Sequence, residues 1–123
     1  MSSVFLGVLS VFARNSLLEI GVTRNVALDR ESILAELRII KPDLTKRFGV
    51  SRLALFGSFV RGEAKEESDI DIVIELDEPD LFTMVHIKET LEEEFQRPVD
   101  VIHYRPLMNR FLKSRIERDA VYV

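Results

Sequence analysis

The residues with the most chemical content lie between positions 57 and 100: a Gly57-Ser58 pair, an arginine at Arg61, an Asp69-Ile70-Asp71 triplet and a carboxylate at Asp100. Two residues apart on a strand, Asp69 and Asp71 project to the same face. Carboxylates so placed repel one another unless a cation lies between them. Magnesium suits such a pair, because it takes one or two carboxylates and completes its shell with water and phosphate oxygens. Asp100 sits between Val99 and Val101 in a segment that reads as a strand. It joins the pair if that strand is a neighbour. A glycine at a strand-to-helix turn lets backbone N–H groups approach a phosphate, and Ser58 adds a hydroxyl. Arg61, one turn on, can offset remaining phosphate charge. Together these parts describe in-line phosphoryl-group chemistry, in which metals bridge the reacting oxygens and the protein positions and stabilises charge.

Such a site needs strands to hold the carboxylates and helices to cover the strands. Ile70, Ile72, Ile74 and Leu76 alternate with Asp69, Asp71, Val73 and Glu75, which predicts a strand over Ile70 to Leu76. Leu53 to Phe56 reads as a short buried strand ending at Gly57, followed by a polar loop, and Val99 to His103 reads as a third strand after Pro98. Asp29 is a candidate N-cap for a helix over Arg30 to Ile40 that Pro42 should stop, with a further helical turn from Asp43 to Phe48 ending at Gly49. Leu81, Met84, Ile87, Leu91 and Phe95 recur at helical spacing, so a helix is expected over Asp80 to Gln96 with Glu92 to Glu94 facing outward. A basic amphipathic segment runs from Pro106 to about Arg118, and Ala120 to Val123 could add a short strand. The fold class is therefore α/β (or α+β), a small mixed β-sheet with helices packed on it.

The chain has 123 residues, 21 acidic against 17 basic, no cysteine and a net charge of -4. A domain of this size buries roughly two-thirds of its unfolded surface, enough for a core without metal or disulfide staples. The absence of cysteine excludes a disulfide scaffold and thiolate metal centres, and fits the cytoplasm. An acidic chain is not built to coat nucleic acid, so no direct DNA binding is expected. The apolar run Val4 to Ala13 is too short to span a bilayer and lacks the basic flank of a signal peptide. Residues 1–28 read as an N-terminal extension or a misplaced start, and residues 29–123 as the working domain.

Gly57-Ser58, ten residues, then Asp69-x-Asp71 resembles the G-S-x10-D-x-D signature of the polymerase-beta-like nucleotidyltransferase superfamily, with Arg61-Gly62 and Ser68 matching its extended form. Residues 29–123 look like a minimal nucleotidyltransferase (MNT) of the antitoxin type that is paired with HEPN-domain toxins. The resemblance implies the nucleotidyltransferase fold, with Gly57 and Ser58 holding the phosphates of a nucleoside triphosphate. It implies that Asp69 and Asp71 ligate two Mg2+ ions, with Asp100 as third ligand, placed to assist deprotonation of the attacking hydroxyl. It implies transfer of AMP from ATP to a hydroxyl of a HEPN toxin, in a hetero-oligomer or with a homodimer of this chain.

Each feature has a plainer reading. Asp69 and Asp71 could be a solvated strand face, Asp100 a strand-edge charge, Gly57-Ser58 a simple cap and Arg61 a surface arginine paired with Glu63 or Glu66. His86 and His103 carry no assigned role. The C-terminal basic residues Arg105, Arg110, Lys113, Arg115 and Arg118 read as a solvated face that could contact nucleotide or an acidic partner. Two rival functions follow. One is an inactive antitoxin that neutralises its toxin by binding. The other is a helix-turn-helix through Asp43 to Arg52, which would need a recognition helix where Leu53 to Phe56 reads as strand.

Overall fold

The computed structural model describes residues 28–65 and 67–123. Both expectations for the N-terminal extension fall on residues outside this range. Helix α1 spans Arg30–Phe48 and opens on a reciprocal cap, in which Ser32 N donates to Asp29 Oδ1 at 2.8 Å and Asp29 N donates to Ser32 Oγ at 3.2 Å. It does not stop at Pro42. A proline inside a helix costs about 3 kcal/mol through its missing N–H and ring clash. Here the apolar stripe of Ile33, Leu37 and Ile40 continues to Leu44, all essentially fully buried, and the helix ends only at Gly49. Gly49 takes a left-handed conformation (φ 73°) and donates to Thr45 O at 3.0 Å. Burial of Leu44 and this cap outweigh the proline.

Strand β1 is Val50–Phe56, three residues longer at its start than the sequence suggests. Ser51 and Arg52 are exposed and polar, yet Val50 is buried opposite Leu76 and Arg52 pairs with Glu75 at 3.2 Å, so the ladder extends through a bulge. These residues are strand, leaving a helix-turn-helix without its second helix. The polar segment after Gly57 holds a single helical turn, α2 (Ser58–Arg61). Strand β2 is Ile70–Leu76 and β3 is Val99–His103, as the alternation predicts. Helix α3 (Leu81–Phe95), capped by Asp80 and by left-handed Gln96, makes the crossover a parallel pair requires. Helix α4 is Arg110–Asp119 rather than starting near Pro106, because Asn109 Oδ1 accepts from Phe111 N and Leu112 N and sets the cap there. Strand β4 (Val121–Tyr122) closes against β1.

The sheet order is β3-β2-β1-β4, with β2 parallel to β3 and the other pairs antiparallel. One face carries Leu53, Leu55, Ile70, Ile72 and Ile74 against α1 and α3. The other carries Ala54, Phe56 and Val73 against Ile116 of α4. Among the described residues no helix is long and apolar enough to cross a membrane.

The outward acidic face expected of α3 is only partly so. Glu93 is exposed, whereas Glu92 turns back to accept from Val99 N at 3.0 Å and from Lys88 at 2.6 Å. Glu94 is buried at 1% exposure, three residues after Leu91 on the core side of α3. Burial, followed by the neighbouring Glu36 carboxyl of α1, pushes its pKa up to about 9, so it holds its proton at neutral pH. The folded state therefore keeps a proton that the unfolded chain releases near 4.5. Stability is full below that value and declines as pH rises towards about 9, by an amount of order a few kcal/mol. Denaturant titrations at acidic and alkaline pH should show this decline for the native chain and a much flatter profile for Glu94→Gln; parallel profiles would refute the retained proton.

Candidate active site

Strand β1 runs directly into the site. Gly57 lies at φ 79° and ψ -148°, a region open essentially to glycine alone. A Cβ there would overlap the Asp71 carboxylate, coming within 3.0 Å of Cγ and 3.2 Å of the Asp71 Cβ. Backbone conformation and contact thus both require glycine. The Gly57 carbonyl accepts from Val60 N at 3.0 Å and Arg61 N at 3.2 Å, which winds α2 immediately behind the turn. Ser58, half-buried, is the first residue of that turn. Its carbonyl accepts from Glu63 N at 2.9 Å.

The parallel register between β2 and β3 sets Asp71 opposite Asp100, and the antiparallel register with β1 sets Phe56 opposite Asp71. Paired residues share a face, so Asp71, Asp100 and Phe56 project to the α4 side of the sheet, and Asp69 precedes them on the same side. Asp69 and Asp100 are exposed, while Asp71 is half-buried. Burial, then the charges of Asp100 and Asp69, raise the Asp71 pKa above the usual carboxylate value, and Arg61 partly opposes the rise. A carboxylate whose ionisation its surroundings resist is a place where a cation gains. The donors are all hard oxygens, which fits Mg2+. Among the described residues no three acidic or histidine side chains are grouped closely enough to hold a metal ion, Asp69, Asp71 and Asp100 included. What the registers bring together is the pair Asp71 and Asp100, and a cation held there would need water and phosphate oxygens to complete its shell.

Arg61 is exposed and pairs with Glu63, Nε to Oε1 at 2.8 Å, which is its plainer reading; Glu66 lies outside the described residues. The bond to Glu63 raises its pKa, with smaller contributions from Asp119 and Asp71. Its charge therefore stands in the field of the carboxylates, but contact with a phosphate requires leaving Glu63. His86 is exposed on α3, and His103 lies opposite Ile74, three positions along β3 from Asp100. Neither joins the aspartates. One positioning residue escapes the motif: Arg97 donates to Ser68 O at 3.3 Å and lies over the Phe59 ring at 5.7 Å. It ties the segment before Asp69 to α2 and to the turn before β3. No spacing signals it, because the contact joins positions 29 apart.

Residues 37–123 match the family described as the nucleotidyltransferase domain. The protein adenylyltransferase MntA of Thermococcus cleftensis is 39% identical over 97 residues, covering 78% of this chain and 97% of that relative. A solved structure described as a minimal nucleotidyltransferase is similar at a TM-score of 0.65 and 32% identity, covering 79% of this chain and 98% of that one. A structure of a tri-AMPylated Shewanella oneidensis HEPN toxin in complex with MNT antitoxin shares the fold at a TM-score of 0.53 and 22% identity, over 72% of this chain and 68% of that one.

The double requirement at Gly57 yields a direct test. Gly57→Ala should lose about 1–3 kcal/mol from backbone strain alone, and more if Asp71 must move. Thermal and denaturant unfolding measure it. A substitution that leaves stability unchanged would show that the turn relaxes freely and that Gly57 does not fix Asp71.

Proposed function

Because the chain belongs to the nucleotidyltransferase domain family, we propose that it transfers AMP from ATP to a hydroxyl of a partner protein, a HEPN-type toxin, and so acts as an antitoxin. The observation that carries this reading is the convergence of the Gly57-Ser58 turn with Asp69, Asp71 and Asp100 at one end of the sheet. A chain of net charge -4 with three aspartates at its site cannot hold a triphosphate without added positive charge. Asp69, Asp71 and Asp100 would hold Mg2+, two ions in this reading, which when bound supply that charge and polarise the phosphoryl oxygens.

The chain's own residues then divide the work. Gly57 and Ser58 receive the phosphates, the glycine by permitting close approach and the serine through its hydroxyl. Arg61 exchanges Glu63 for a phosphate oxygen. Asp100, exposed beside Asp71, is placed to accept the proton of the attacking hydroxyl. The bond formed joins the acceptor oxygen to the α-phosphorus, the bond broken joins that phosphorus to the bridging oxygen, and pyrophosphate leaves. Positioning and charge stabilisation account for the catalysis. In this reading the reaction takes place in the cytoplasm, in a hetero-complex with the acceptor.

Support for the acceptor comes from the 39% identical adenylyltransferase MntA, named for protein modification, and from the fold shared with an MNT antitoxin bound to an AMPylated HEPN toxin. The test is transfer of α-phosphate-labelled ATP, with magnesium, onto a HEPN protein encoded beside this chain, using the native chain and an Asp69→Asn, Asp71→Asn double variant. Label should reach the partner with the native chain and fall by at least about a hundredfold with the variant or a chelator. If both forms bind the partner equally and neither labels it, the chain neutralises by occlusion and the transfer reading fails.

A further inference from the structure

Helix α4 lies across the face of the sheet that bears Asp71 and Asp100. Its anchor is Ile116, fully buried against Ala54, Phe56 and Val73. Strand β4 follows at once and sets Val121 opposite Leu55, so the last turn of α4 is held where β1 enters the Gly57 turn. Arg115, next to the anchor, has its guanidinium over the Phe56 ring, 5.7 Å from the centroid. Phe56 in turn is the cross-strand partner of Asp71 and the residue before Gly57. Arg115 therefore lies against the residue that links the two halves of the site, since Phe56 pairs with Asp71 across the strands and leads into the Gly57 turn.

The other arginines around this end of the sheet are engaged. Arg61 pairs with Glu63, Arg97 donates to Ser68 O, and Arg118 makes two bonds to Asp119 at 2.9 and 3.2 Å. Arg115 is exposed and, among the described residues, makes no ion pair or hydrogen bond. Its contact with the ring holds the guanidinium plane and leaves the N–H fork unspent. Such a fork, on the face that carries the aspartates, matches phosphate oxygens in a bidentate geometry that lysine cannot reproduce.

We propose that Arg115 is a triphosphate-binding residue contributed by α4, whose guanidinium adds a second set of contacts to the phosphates that Gly57-Ser58 receive, while the aspartates serve the α-phosphate. This rests on the nucleotidyl-transfer reading and adds to it a residue outside the Gly-Ser and aspartate motif. Arg115 then serves to hold the leaving pyrophosphate in line and to sort nucleoside triphosphates from monophosphates.

The experiment uses the full chain with magnesium and measures equilibrium binding of an α,β-methylene ATP analogue and of AMP, to the native chain, Arg115→Met and Arg115→Lys. Methionine keeps an apolar stem over Phe56, so melting curves of all three check that the fold is intact. The expected result is a loss of roughly tenfold or more in affinity for the triphosphate with Arg115→Met, unchanged affinity for AMP, and partial recovery with Arg115→Lys. Equal triphosphate affinity in native and Arg115→Met, or an equal loss for both ligands, overturns the role of Arg115 alone. A lowered melting temperature with no change in binding also overturns it, and marks Arg115 as a cation that merely complements the last turns of α4. A native chain that binds neither ligand overturns the nucleotidyl-transfer reading beneath it.

Discussion

Mutual repulsion among Asp69, Asp71 and Asp100 is the constraint around which this molecule is arranged. The parallel register of β2 and β3 brings Asp71 against Asp100, and burial makes the resulting charge still harder to sustain. Arg61 offsets only part of that cost. The remainder is met by the rest of the fold, because Ile70, Ile72 and Ile74 on the opposite face are fully buried against α1 and α3 and hold the strand in place. The alternation that buries the isoleucines is the same alternation that presents the aspartates. Core and site are two faces of one strand, so slipping the register by one residue would destroy both together.

Gly57 shows how tightly the two halves of the site are coupled. Its Cα lies so close to Asp71 that the phosphate turn and the carboxylate occupy a single packed unit. The turn depends on β1 ending at that level, and β1 is held on its other edge by β4, which α4 delivers. A helix at the C-terminus of the domain thereby helps set the geometry of a turn in its middle.

A second acidic contact shows the alternative resolution of the same repulsion. Glu94 faces the half-buried Glu36 between α3 and α1, and because Glu94 itself is buried a retained proton settles the conflict. Asp71 is only half-buried, with two exposed carboxylates beside it and Arg61 partly opposing their charge, so ionisation stays within reach and a cation has room. Depth of burial separates a structural carboxyl pair from one suited to chemistry.

Strands β2 and β3 and helix α3 were legible from the chain alone, since alternation and three-four spacing report directly on which face is buried. So was the family, because Gly57-Ser58 and Asp69-x-Asp71 are local patterns, and residues 37–123 match it. Local rules misplace what long-range burial decides. Pro42 reads as a stop until Leu44 is seen to need the core, the start of β1 depends on Leu76 across the sheet, and Glu94 reads as solvated until α1 covers it. The approach of Asp100 to Asp71, the tie from Arg97 to Ser68 and the placement of Arg115 over Phe56 belong to the tertiary structure alone. Those contacts join segments 29 or more residues apart, and periodicity carries no information about which strand lies next to which.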